Sequence, residues 1–372
     1  MRTFIPLLLL AACSAGGEAA ESQAGGRPFQ IRPIATFDEP WAMAFLPGPG
    51  PRALITEKKG KLKLLWSDTG RVGDVAGAPA VDYGGQGGFG DVVLHPGFAR
   101  NRLVYLSWVE AGEGGNRGAV VGRARFLEDG NRPRLEGLQI VYRQTPKLSG
   151  RGHFGHRIAF GPDGKLYVSN GERQEFTPAQ DMSATLGKIV RLNDDGSVPA
   201  DNPFANRGGA TAQIWSSGHR NPLGLAFAPD GKLWEIEMGP KGGDELNLIL
   251  KGRNYGYPIV SNGDHYDGKD IPGHPTRPEF EAPRTWWTPV ISPGDFIYYS
   301  GAAFPKWKGD ILIAGMSSKA LIRVDVDGAN AREAERWDMG KRIREVEQGP
   351  GGSVYLLEDG EGGRLLKLTP AG

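Results

Sequence analysis

The sequence predicts an all-β chain, a six-bladed β-propeller of four-stranded antiparallel blades. Three observations lead there. The 57 glycines and 28 prolines among 372 residues fall between short apolar runs, in neither a collagen period nor a low-complexity tract. No stretch beyond residue 30 holds a helical period for long. One phrase then returns six times: an apolar pair, a Pro/Gly/Asp turn, and an alternating strand.

The copies are AFLPGPGPRALITE from Ala44, VLHPGFARNRLVYLSW from Val93, AFGPDGKLYVSNGE from Ala159, AFAPDGKLWEIEMG from Ala226, AAFPKWKGDILIAG from Ala302 and EQGPGGSVYLLEDG from Glu347. The P-D-G turns suit hairpins, because glycine accepts the positive φ that the turn requires. After the third, Lys165, Leu166, Tyr167 and Val168 alternate in and out. Intervals of roughly 45 to 75 residues match propeller blades better than unrelated hairpins in a sandwich. A propeller gathers loops from several blades at its tunnel mouth, so functional residues are expected to be scattered along the chain.

The N-terminus predicts export. Arg2 precedes an apolar run, residues 4–10, too short to span a bilayer, and Leu10-Ala11-Ala12-Cys13 resembles a bacterial lipobox. This predicts a signal peptide over 1–12, a tether over 13–27 and a catalytic propeller over 28–372. A signal peptide cut slightly later, discarding Cys13, is the competing reading. The expected location is the periplasm, with a lipoprotein held at the outer membrane solely by a lipid on Cys13. Cys13 is the one cysteine, so no disulfide is available. With 44 basic and 43 acidic residues there is no footprint for nucleic acid.

The chemistry-bearing residues lie in loops. Gln86 stands among glycines in GQGGFGD, and RGHFGHR carries His153, His156 and Arg157. GHRNPLG carries Arg220 and Asn221; MGPKGGDELN and NYGYP follow; Lys319 sits in SSKALIR. In KRIRE, strand alternation puts Arg342 and Arg344 on one side and Ile343 on the other. With Lys319 and Arg220 they suit a planar polycarboxylate, or are separate solvated charges. No third His or Cys lies near His153 and His156, which disfavours zinc. One of them serves better as a general base, or simply caps a turn. Asp244 and Glu245 offer hard oxygen ligands, favouring calcium. No G-x-G-x-x-G follows a strand and opens a helix, which argues against a nicotinamide fold.

On HFGHRIAFGPDGKLYVSNGE, GHRNPLGLAF, GPKGGDELN, NYGYP and KRIRE, the chain resembles the soluble pyrroloquinoline quinone (PQQ)-dependent sugar dehydrogenases, most nearly the aldose branch. The resemblance runs from about Ile31 to Leu368. It implies PQQ and Ca2+ as cofactors, an aldose substrate, and an electron acceptor of unknown identity. By position it implies His153 as the catalytic base, and Gln86, Arg220, Asn221, Lys319, Arg342, Arg344 and Tyr266 around the cofactor. It further implies the carbonyls of Gly239 and Pro240 on the cofactor calcium, with Glu245 and the Tyr255 carbonyl on a second calcium. Gly152 departs from glucose-specific members, which have an aspartate there, and points to broader aldose use. His156 stands where glycine is common. Monomer and homodimer are both open, and an apolar loop surface around Trp286 and Trp287 is expected to be a dimer contact or a substrate wall. A calcium-dependent lactonase-type hydrolase and a non-catalytic binding propeller are the alternatives. The first has no use for the Lys319, Arg342 and Arg344 cluster, and the second none for His153.

Overall fold

A computed structural model describes residues 26–129 and 132–371; the lipobox and most of the tether lie outside the described residues. The 24 strands form six four-stranded antiparallel sheets. Their inner strands are Pro40–Leu46, Phe89–Leu94, Gly155–Phe160, Pro222–Phe227, Pro293–Tyr298 and Ile343–Gln348. Blades one to five are continuous in sequence. The sixth borrows its outermost strand from the other end of the chain: Phe29–Asp38 pairs with Glu361–Pro370, Phe29 opposite Pro370 and Asp38 opposite Glu361. The expected propeller is therefore the observed fold. Among the described residues the one α-helix is Phe98–Asn101, and no helix is long and apolar enough to cross a membrane.

Alternation in the strands produces a separate apolar layer between each pair of adjacent blades. Leu54, Leu64 and Leu106 join blades one and two, Val121 and Val168 two and three, and Ile189 and Leu225 three and four. Ile236 and Ile313, Leu321 and Leu356, and Ile55 and Leu365 complete the ring. In the copy from Ala302 the strand is Ile311–Gly315, and Phe304 ahead of it stacks flat on Trp307, ring centroids 3.9 Å apart. One expectation needs correction. Trp286 and Trp287 lie in a strand, Thr285–Trp287, and only Trp286 is exposed; Trp287 is buried, its Nε1 donating to Glu333 at 2.6 Å.

Every inner strand carries a register irregularity near its start, between Pro40 and Ala42, Phe89 and Val92, Gly155 and Ile158, Pro222 and Gly224, Pro293 and Asp295, and Ile343 and Glu345. Bulges re-aim side chains, and here they turn them onto the tunnel axis. Arg157, read from sequence as a loop candidate, is the axle. Its guanidinium meets Asp91 at 3.5 Å, Asp295 at 3.6 Å and Glu345 at 2.8 Å, and donates to the carbonyls of Leu223 at 2.7 Å and Gly294 at 2.8 Å. Its carbon centre lies 4.1 Å from the Trp41 ring. One buried side chain thus touches the other five blades. Three carboxylates around one cation leave an excess of negative charge in a dry site. Burial, with the Asp91 charge adding to it against Arg157, raises the Glu345 carboxyl to about 7.

Candidate active site

Because the strands alternate in direction, the crossovers between blades and the loops joining second to third strands emerge on one face. Gln86, His153, Arg220, Asn221 and Arg342 come from crossovers. Gly239, Pro240 and Lys319 come from second-to-third-strand loops, and a long excursion, residues 250–284, brings Tyr266 to the same face. Of these, Gln86, Asn221 and Arg342 line a cavity of about 300 Å³ together with Arg344, Trp41, Lys58, Phe154, His156, Met316 and Asp359.

His153 is buried, with φ +45°, beside this cavity. Its backbone N–H donates to Gln86 Oε1 at 2.8 Å, and its Nδ1 pairs with Glu172 Oε1. The other Glu172 oxygen accepts the Phe176 N–H at 2.7 Å. Burial raises the Glu172 carboxyl, but its bond to His153, the His153 and Arg220 charges and the Phe176 N–H together hold it below the ordinary value. An ionised carboxylate only accepts, so the imidazole proton sits on Nδ1 and Nε2 keeps a lone pair. Burial also lowers the His153 pKa, against the Glu172 bond, so the ring is neutral at pH 7.

Two glycines let the Glu172 loop lie on the His153 loop. A Cβ at Gly171 would stand 2.1 Å from the His153 carbonyl, and one at Gly152 would stand 2.1 Å from Gln174 Oε1. The carboxamide of Gln174 fills the place of a side chain at 152, while Glu172 orients the His153 ring. Arg173 clamps both loops, donating to the carbonyls of Gly152 at 2.9 Å, Arg117 at 2.8 Å and Gly150.

Arg342 and Arg344 do converge, though not by strand alternation: Arg342 precedes the strand, Arg344 lies in its bulge, and both bind Asp359, at 2.7 and 2.8 Å. Lys319 is exposed in a left-handed turn beside Met316, at the rim rather than in the cavity lining. Arg220 Nη2 donates to the Tyr266 hydroxyl at 3.2 Å, leaving that ring 73% exposed over the mouth. Glu237 accepts the backbone N–H groups of both Arg220 and Asn221. Beneath them His219, Glu235 and Glu237 form a buried cluster, and the His219 ring stacks on Tyr255.

Gly239, Pro240, Glu245 and Tyr255 line one small cavity of about 10 Å³, beside Glu237. The donors are all oxygen, the set a hard cation takes. Burial and the Glu237 charge push the Glu245 carboxyl well above its ordinary range, against bonds from Asn247 and Asn262, and the Asn262 side-chain bond is long at 3.4 Å. The residues therefore fit calcium. Gly239's carbonyl accepts Arg220 Nη1 at 2.7 Å, so an ion on that oxygen competes with Arg220. Asp244 is a correction: its oxygens accept the N–H groups of Gly239, Ile291 and Ser292 at 2.6–2.8 Å, which makes it a loop clamp rather than a ligand. The large cavity fits a polycarboxylate, with two arginines and Lys58 in its lining and the Asn221 Oδ1 and Arg220 Nε atoms buried without partners among the described residues. Sequence reasoning missed Glu172, Asp359, Lys58 and Trp41. Glu172 was within reach, closing the SNGE phrase at the end of a strand next to the histidine loop.

The family model for glucose/sorbosone dehydrogenases matches residues 37–367. The chain belongs to the glucose/sorbosone dehydrogenase family. As a member it is an oxidoreductase, and a relative, aldose sugar dehydrogenase YliI of Escherichia coli, is 40% identical over 90% of this chain and 91% of its own length. A crystal structure of a glucose dehydrogenase superimposes with a TM-score of 0.87 at 42% identity, covering 92% of this chain and 100% of that one. The PQQ-bound aldose sugar dehydrogenase from Streptomyces coelicolor gives 0.75 at 29% identity, covering 92% and 98%. These dehydrogenases share the propeller.

Proposed function

We propose that this family member oxidises aldose sugars at C1 to the lactone, using PQQ and calcium. The observation that carries the reading is His153, neutral and held by Glu172 with Nε2 free, at the edge of a cation-lined cavity. The PQQ-bound relative supports the choice of cofactor. When bound, PQQ supplies the acceptor of the hydride from C1 and calcium the polarising charge. His153 Nε2 takes the C1 hydroxyl proton, and Glu172 stabilises the imidazolium that results. Gln86 fixes the histidine backbone, while Arg342, Arg344 and Lys319 bind cofactor carboxylates and Asp359 keeps the two arginines together. Arg220, Asn221 and Tyr266 cover the cofactor at the mouth. Gly239 and Pro240 hold its calcium, and Glu245 and Tyr255 a second one. Gly152, which leaves no aspartate directly before the base in sequence, favours aldoses broadly over glucose alone.

Reconstitution of the purified protein with PQQ and calcium, followed by dye reduction with a panel of aldoses, tests the reading. Sugar-dependent reduction is expected, and its absence with PQQ bound would overturn the assignment. In the same assay His153→Ala is expected to lower kcat by about 10²–10⁴-fold with PQQ still bound. Lys319→Ala or Arg342→Ala is expected to weaken PQQ binding by about 1.5–3 kcal/mol each, measured by titrating the apo-protein. The same proposal places the enzyme in the periplasm, anchored to the outer membrane through Cys13; radiolabelled fatty acid incorporation into the wild type and not into Cys13→Ala is the check.

A further inference from the structure

His156 has no role in the site described above, yet its setting is built. The ring is 2% exposed and lines the floor of the large cavity, stacked on Trp41 with centroids 5.0 Å apart and planes 19° apart. It occupies space that another blade keeps bare: a Cβ at Gly90 would stand 2.0 Å from His156 Cε1. Its backbone φ is +64°, a region that suits glycine and is uncommon for other residues. Strain of that kind persists where the surroundings over-determine it, and it concentrates at functional positions.

The hydrogen bonds fix the ring's polarity. Ser107 Oγ accepts the Asp91 N–H at 2.8 Å, so its own proton is free to be donated to His156 Nδ1, also at 2.8 Å. With Ser107 donating, Nδ1 is the acceptor and the ring proton lies on Nε2, for which no bond beyond the residue's own backbone is found among the described residues. Burial, reinforced by the charge of Arg157, lowers the pKa to about 3, so the ring stays neutral wherever the protein is folded and used. The floor of the cavity therefore carries a neutral N–H donor fixed against an aromatic plate.

We infer that His156 is a cofactor-contacting residue, its Nε2–H donating to an acceptor oxygen of the planar group that rests on the His156–Trp41 floor. Ser107 is the positioning residue that sets the tautomer. The inference rests on the PQQ reading, and adds to it a donor that brings no charge to a cavity already furnished with cations.

The test is isothermal titration of the calcium-loaded apo-protein with PQQ, which does not depend on turnover. His156→Phe keeps the ring and the packing but lacks the donor; its Kd is expected to rise about tenfold, a typical worth for one hydrogen bond. His156→Gln keeps a donor and is expected to bind within about threefold of the wild type. Phe binding as tightly as the wild type, or Gln losing as much as Phe is expected to lose, would show that His156 merely plugs the tunnel and overturn the inference. If the unmodified protein fails to bind PQQ, the cofactor reading itself falls; wild-type binding with an unaffected Phe variant removes this inference alone.

Discussion

Arg157→Met is expected to destabilise the fold by about 3–5 kcal/mol, the usual cost of leaving buried charges without their counter-ion. The variant keeps a side chain of similar reach, so little of the loss is cavity. What remains is Asp91, Asp295 and Glu345 facing one another, with the carbonyls of Leu223 and Gly294 stripped of their donors. The loss should depend on pH in a definite sense. Burial raises all three carboxyls in the folded state, and Glu345 stands at about 7 even with Arg157 beside it. Groups with a raised folded pKa favour folding at low pH, and that contribution fades as pH rises through the folded value. Removing the cation raises them further, so the deficit should be smaller near pH 5.5 than near pH 8. Denaturant unfolding at both pH values measures it, and an equal deficit at the two would refute the shared-axle account.

Glu172→Gln should reduce kcat by about 10²–10⁴-fold while leaving PQQ affinity within about twofold. Glutamine cannot enforce the Nδ1–H tautomer, nor balance the imidazolium that forms as the sugar proton arrives. A second readout separates this from general damage. The Glu172 bond and charge raise the His153 pKa against the effect of burial, so their removal lowers it further. Activity needs the neutral ring, and the acid limb of the pH–rate profile should therefore move to lower pH even as its plateau falls. A kcat within about threefold of the wild type, or an acid limb that moves upward, would remove Glu172 from the mechanism.

The propeller was legible because its unit repeats: a turn and an alternating strand are local, and six copies at blade spacing leave few architectures. The ring closure was not, since Phe29–Asp38 carries no mark of its partner Glu361–Pro370 more than three hundred residues away. The site divided in the same way. Residues inside glycine-rich motifs stood out, but their partners did not, because Asp359 meets Arg342 and Glu172 meets His153 only after two loops are laid side by side. Arg157 and Asp244 were misleading for a related reason. A charged residue in a loop motif looks chemical until its hydrogen bonds are counted, and theirs are spent on the scaffold. Gly152 looked like a missing group from sequence; in space it is room for Gln174.

The borrowed strand of blade six has a kinetic consequence. The first strand of the propeller finds its neighbour only when the final strand arrives, so this pairing is the most non-local in the domain and the slowest to be rewarded. Arg342, Arg344 and Asp359 belong to the blade it completes. The cavity's anion-binding wall is thus the part of the molecule that matures last, and a ligand that needs it can recognise only closed rings. On the proposed function, cofactor loading would act as a latch: by mass action it would draw newly made chains toward closure and resist their reopening.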